Sequence, residues 1–366
     1  MTGTIRKSIK YLVIFFGIII SLPTIMAFLL RMPSIQTMLV RRITDHVSEE
    51  FRSAISIGKV HFRFFNKLNL DDILIRDQNN DTLLFARKAS AVIRKLDMKK
   101  NSVVLGRVGV ENPVVSFITD SSGMLNLRWY LDKIIAPADT IKKQKNRIFI
   151  NQLEIDSGSF SIVNMIRPES KTPIDLNNLH LSGINCILED FSIQNDTTSF
   201  SIYSLEFAER TGFMVRRMNS EVAITRNHIM FNSAFMNADS SILNISHAGI
   251  SADSSFRDFL NDVRLDIRMD RSLVYFSDLQ YFAPFLDGID ESLWLSGRII
   301  GTVAELRGRN IELSWKENTY LDCDFDLSGL PEIDNSFIYF GNKHSSLQRG
   351  GYQENKNTGQ RSSNSA

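Results

Sequence analysis

The chain has 366 residues, room for two ordinary domains or one long repetitive one at the soft prior of about 150 residues per domain. Its 42 basic and 41 acidic residues give a formal charge of +1, which leaves no electrostatic footprint for nucleic acid and no acidic tail. Two cysteines, Cys186 and Cys323, are too few for a disulfide framework, and neither belongs to a C-x-x-C pair that would suit zinc or redox work.

Residues 11–30 read YLVIFFGIIISLPTIMAFLL without a charge, long enough to cross a hydrocarbon core of ~30 Å. We read this stretch as an uncleaved transmembrane anchor behind a tail at residues 1–10, because the cleavage-like Ala27 has Ile25 where a small residue belongs. Arg6, Lys7 and Lys10 before it nearly balance Arg31, Arg41 and Arg42 after it. The short tail, more than the charges, therefore favours placing the long C-terminal part outside the cytoplasm. Across residues 31–54, Ile35, Leu39, Ile43, Val47 and Phe51 recur every fourth position behind Ser34. That spacing predicts an amphipathic helix, suited to plug the end of the β-rich region after it or to lie on a bilayer through Arg41 and Arg42.

From Ile55 the period changes to two. ISIGKVHFRFF and KLNLDDILIRD alternate with one-residue slips that read as bulges or turns. DQNNDT at residues 77–82 is a turn, VVSFITDSSGMLNL reads as strand, turn and strand, and in RIFINQLEIDSGSFSIV the residues Asp156, Ser157 and Gly158 turn the chain. RLDIRMD and LDCDFDLSGLP continue the alternation. At the usual turn spacing this predicts ~20 short strands, and at about 4.8 Å per strand a sheet on the order of 100 Å across. Two helices interrupt it, one after Asn126, ended by Pro137 and followed by the basic loop Lys142, Lys143, Lys145 and Arg147. The other has Asp270 as N-cap, Phe276, Leu279 and Phe282 on one face, and Pro284 at its end. Residues 339–366 are polar and aperiodic and read as disordered. The abrupt end of the alternation near Phe340 suggests an early stop or a reading-frame break.

Chemistry-bearing motifs are missing from the sequence. Its six histidines form no H-E-x-x-H pair, and no P-loop, dinucleotide fingerprint or nucleophile elbow occurs. Asp322, Asp324 and Asp326 have the spacing that opens a calcium loop, but Leu327 stands where that loop requires glycine and Ile333 where it requires glutamate. The three aspartates read as the wet face of a strand. The opposite faces, Leu321, Cys323, Phe325 and Leu327 in one strand and Val263, Leu265, Ile267 and Met269 in another, are the candidate lining of an apolar groove, with core packing as the alternative.

An anchor followed by LLRMPSIQTMLVRRI, by SIGKVHFRFFNKLNLDDILIRDQNNDTLLFARKASAVI and by ENPVVSFITDSSGMLNL resembles the opening of the AsmA-like superfamily. Within it the likeness is to the TamB (translocation and assembly module) branch of Bacteroidetes-type bacteria. FSDLQYFAPFLDGIDESLWLSGRIIGTVAELRGRNIELSWKENTYLDCDFDLSGLP extends the likeness to the turn at Gly329, Leu330 and Pro331, so that it covers roughly residues 5–338. The resemblance implies a mostly β fold: an N-terminal transmembrane helix, then at residues 55–338 an elongated, twisted, incompletely closed β-sheet trough, or β-taco, with a few short helices. It also implies a single-pass protein of the bacterial inner membrane with its bulk in the periplasm, neither an enzyme nor a cofactor carrier. Its groove would carry phospholipid between inner and outer membrane. The alternative role is assembly or translocation of outer-membrane proteins with an Omp85-type barrel. The C-terminal domain that would meet such a barrel is missing from this sequence.

Overall fold

The computed structural model describes residues 55–63, 66–97, 102–126, 147–166, 173–194, 196–252, 262–302, 304–316, 319–329 and 336–347. The expected anchor at 11–30, the amphipathic helix at 31–54 and the helix after Asn126 lie outside these residues. Among the described residues no helix is long and apolar enough to cross a membrane.

The described residues form one open sheet of fifteen strands in chain order. Its first half comprises β1 (Ile55–Arg63), β2 (Lys67–Arg76), β3 (Thr82–Asp97), β4 (Ser102–Thr119), β5 (Arg147–Asn164), β6 (His180–Gln194) and β7 (Thr197–Glu209). The rest are β8 (Met214–Ile224), β9 (His228–Ala238), β10 (Ser241–Ala252), β11 (Val263–Tyr275), β12 (Ser292–Thr302), β13 (Glu305–Trp315), β14 (Thr319–Ser328) and β15 (Phe337–Leu347). All ladders are antiparallel except β4–β5, which is parallel. The strands are fewer and longer than the turn signals predict, reaching 18 residues in β4 and β5. At about 4.8 Å per strand the sheet is about 67 Å across.

The excess of turn signals has a physical origin. Asp156, Ser157 and Gly158 do not turn the chain: β5 runs through them with a bulge against β6. In the same way DSSG after β4 is followed by one bridge, Thr119 to Leu125, in place of a second strand. The slip in β1 at Gly58 faces the slip in β2 at Asp72, whose φ is 52°. By register Asp72 lies opposite Arg87 of β3, Arg87 opposite Asn112 of β4 (φ 50°), and Asn112 opposite Ser157 of β5 (φ 54°). Register shifts continue the row through β6–β10, with Ser233 at φ 49°, and through β11–β15, with Asn310 at φ 51°. A bulge bends its strand and increases the local twist. Left-handed residues in β2, β4 and β5 and the register shifts of the later ladders thus line up as one row of irregular positions, a crease at which the strands bend and twist. Each left-handed residue also flips strand parity, so that Leu68 and Leu70 before Asp72, and Ile73 and Ile75 after it, share one face.

The strand ends on one side carry a rim of loops. β11 continues through Asp270, the expected N-cap, because the alternation resumes after the bulge with Ser272 and Val274 inside. The expected helix shrinks to α1 (Phe276–Leu279), and Pro284 opens a 3-10 turn where it was expected to end a helix. Buried Asp278 of α1 accepts hydrogen bonds from the backbone N–H groups of Ser240 at 3.0 Å and Ser241 at 2.7 Å, clamping the β9–β10 turn. Phe213 meets the rings of Tyr281 and Phe282 edge-on, both at 5.5 Å, over Ile174, Val215 and Ala238.

The expected boundary at residue 338 is also corrected. β15 extends to Leu347 and pairs with β14 from Phe337↔Ser328 to Leu347↔Thr319. Its polar second half, without apolar alternation, is held by backbone pairing, which composition does not reveal.

The crease depends on residues that tolerate a positive φ. Ser233→Val, a β-branched residue at a left-handed position, should lower stability by about 1 kcal/mol or more, while Ser233→Gly should not. Denaturant melts of the two variants check this.

Candidate functional site

Residues paired across neighbouring strands project to the same face, so the registers trace what each face carries. One row runs Ile93, Leu105, Ile150 and Phe191 across β3–β6. Phe191 stacks on Phe200 of β7 at 5.8 Å, and the row continues through Val222, Phe231, Ala248 and Ile267. It ends with Ile299, Gly308, Phe325 and Phe340 on β12–β15. A second row reads Ile224, Ile229, Ile250, Leu265, Gly301, Leu306, Leu327 and Ile338. Apolar side chains thus cover one face without a break across thirteen strands.

This face is sheltered but not filled. Its most buried members, such as Ala86, Cys186, Val222, Val263, Ile311 and Cys323, lie along the creased sheet, while most of the others are only half-buried. Of the eight sequence-predicted lining residues, all project to this face. Leu265, Ile267 and Met269 connect through β12 and β13 to Leu327, Phe325 and Cys323. Val263 is 0% exposed and Cys323 1% exposed, so these two are packed as core, the alternative to groove lining, while Leu265, Ile267, Met269, Leu321, Phe325 and Leu327 keep part of their apolar surface exposed. The centre of the face, Phe200, Val222, Phe231 and Ile250, was not singled out from the sequence. The alternation in SFSIY, VAIT and HIMF was the signal for it.

Glycines shape this face near β13. A Cβ on Gly308 would lie 2.2 Å from Cε1 of Phe325, so the ring of Phe325 lies directly over that glycine. At the crease, Gly297 has φ 137° and its missing Cβ leaves room for Ile311. Ser272, fully buried, offers its hydroxyl oxygen to the N–H of Asn244 at 2.9 Å and donates to the carbonyl of Asp270 at 2.8 Å. It thereby satisfies backbone groups that the bulge would leave unpaired.

The opposite face is charged and internally compensated. Lys88 pairs with Glu111 at 2.8 Å and Lys343 with Asp324 at 2.7 Å. Arg309 lies 2.6 Å from Asp326, so two of the three aspartates with calcium-loop spacing are neutralised by protein cations. Lys343 holds the Asp324 carboxyl below the usual range, helped by the Asn310 N–H. Nε and Nη2 of Arg298 clamp Asp266 at 2.8 and 2.7 Å and depress its pKa in the same way. Over the crease, Glu154, Asp156, Asn185, Glu206, Arg216 and Arg217 line a cleft of about 350 Å³. The thiol of Cys186, on the apolar side of the same strands, is pushed up to about 11 by burial, the opposite of an activated nucleophile. Among the described residues no three His, Cys, Asp or Glu side chains converge as metal ligands.

Comparison with family models, with curated proteins and with solved structures returns no match.

Two substitutions test this geometry. Gly308→Val should displace Phe325 and lower stability by about 1–3 kcal/mol, read by thermal or urea melts. Asp266→Asn should cost about 0.5–1 kcal/mol near neutral pH, a small value because the pair is partly exposed. A carboxylate of lowered pKa contributes above its unfolded value of about 3.9 and loses that contribution as pH falls through the folded value. The gap between wild type and Asp266→Asn should therefore shrink below about pH 4.

Proposed function

We propose that this chain is a membrane-anchored, non-enzymatic lipid-handling protein whose apolar sheet face holds phospholipid acyl chains, in the manner of the AsmA-like and TamB-type proteins it resembles. The observation that carries the reading is the unbroken apolar face, bent by the crease and only half-buried along its length. A sheet that served only as a scaffold would bury that face under a second layer. Each acyl CH₂ moved onto such a face recovers about 0.8 kcal/mol, so a tail lying along the rows offsets much of the cost of leaving a bilayer. Uniform rows without a deep pocket give no site where a lipid would stick. In this reading residues 11–30 fix the protein in the inner membrane, the sheet stands in the periplasm as a trough open along its length, and the cargo moves toward the outer membrane.

A second reading is favoured by one feature. The outer edge of β15 has no neighbouring strand among the described residues, and Phe337, Ile338, Tyr339 and Phe340 are 51–68% exposed. Such an edge suits addition of an extended client strand, the activity of an assembly factor working with an Omp85-type barrel.

Adjacent positions of β11 separate the two. A photo-crosslinker at Ile267, on the apolar face, should capture phospholipid in cell envelopes, while one at Arg268, on the charged face, should not. Equal labelling at both positions rules out the groove. Capture of unfolded outer-membrane proteins at Tyr339, without lipid at Ile267, selects the assembly reading.

A further inference from the structure

The rim of strand ends that carries α1 departs from the rule that most of the sheet obeys. Away from the edge strand β15, one face is apolar and the other charged, yet here apolar side chains are exposed on both faces and on the loops between them. Leu176, Met214, Phe282, Ile289, Trp294 and Trp315 are each 37–58% exposed, and all belong to the strand ends or connections of this rim from the β5–β6 connection to the end of β13. Ile242, Leu273 and Trp294 form a row on the charged face, while Trp315 pairs with Leu293 on the apolar face. At the opposite ends of the strands, the comparable exposed residues among those described are Leu96 and, at the start of the edge strand β15, Phe337, Ile338, Tyr339 and Phe340.

Two further features identify the occupant. Both tryptophans are matched with cations, Arg271 at 4.5 Å from the ring of Trp294 and Lys316 at 4.9 Å from that of Trp315. An indole beside a cation suits the boundary between hydrocarbon and headgroups. The chain also enters the sheet at this rim: Ile55, the first residue of β1, pairs with Ile75 next to the β2–β3 turn, on the same side as α1. In sequence, the uncharged stretch at 11–30 and the amphipathic pattern at 31–54 lead into the sheet at Ile55, which lies on this rim.

We infer that this rim rests on a lipid bilayer, with Trp294 and its neighbours at the level of the headgroups. The inference deepens the membrane-anchored reading and rests on it for the position of the anchor. It makes the rim a second contact with the bilayer besides the anchor, placing the sheet beside the membrane from which its cargo would be drawn.

Trp294 is a built-in reporter, because the chain has three tryptophans and Trp294 faces away from the groove, out of reach of lipid bound there. The full chain carrying Trp129→Phe and Trp315→Phe would be reconstituted in phosphatidylethanolamine–phosphatidylglycerol vesicles, with and without bromine on the acyl chains near the headgroups. Interfacial residues sit within about 5–10 Å of the acyl boundary, so we expect a blue-shifted emission of which roughly half is quenched by bromine. Adding Ile289→Asp should reduce that quenching while the thermal melt stays unchanged. Emission insensitive to bromine, in protein that resists alkaline extraction, overturns the rim contact and leaves the anchor standing. Quenching in protein that alkali extracts supports the rim and removes the anchor. A blue shift that depends on protein concentration and not on bromine assigns the rim to a second copy of the chain and overturns the proposal.

Discussion

A strand places successive side chains on opposite faces, so a sheet that bends in mid-strand and keeps one face apolar must change parity at the bend. The rest of this structure depends on how that constraint is met. Asp72, Asn112, Ser157, Ser233 and Asn310 take left-handed backbone conformations in mid-strand. Each such residue costs on the order of 1–2 kcal/mol, and each restores the apolar pattern to the same face beyond the bend. Because these positions align from strand to strand, their bends add into one crease where scattered irregularities would cancel. Ser272 and Asn185 repair the backbone groups that the bulges free, through hydrogen bonds to Asn244 and Ser157.

The two faces then differ in how they are stabilised. The charged face satisfies itself through pairs such as Arg298 with Asp266 and Lys343 with Asp324, which set register more than they add stability at their exposure. The apolar face is left half-wet. Stability is therefore supplied mainly between neighbouring strands, each binding the next, as in repeat proteins whose units contact only their neighbours. This economy of contacts leaves apolar surface available to a ligand.

Most of this organisation was legible in the sequence where residues alternate cleanly. β11 and β14 were read with their facing sides assigned, because VRLDIRMD and LDCDFDLS contain no bulge within the apolar run. The strand count was not legible, because a bulge and a turn use the same residues. Asp156-Ser157-Gly158 carries turn chemistry, and only pairing with β4 and β6 keeps β5 going through it. The helix at Asp270 was overestimated for a related reason, since Asp270 and Arg271 are a bulge and tertiary pairing overrides the helical spacing of Phe276, Leu279 and Phe282. β15 was invisible beyond Phe340 because backbone pairing, which has no side-chain signature, holds GNKHSSL in place. Of the candidate site, the lining residues in two strands could be named, but their continuity across β12 and β13 could not, because Gly301 and Gly308 stand in the rows where an apolar side chain would have shown the pattern.

The parallel pair β4–β5 has a consequence for how the sheet forms. Its neighbours in the sheet join through short turns or antiparallel returns, whereas every rung of this ladder joins residues 45 apart, as with Ser102 and Arg147. Closing a loop of that length costs about 2 kcal/mol more than closing a four-residue turn, and no rung of the ladder forms before it is closed. The meander β1–β4 and the long meander from β5 onward can therefore assemble separately, each from local contacts, before joining along a single zipper. The order of assembly is written into the one place where strand direction fails to alternate, and the last ladder to close lies inside the sheet, four strands from its beginning.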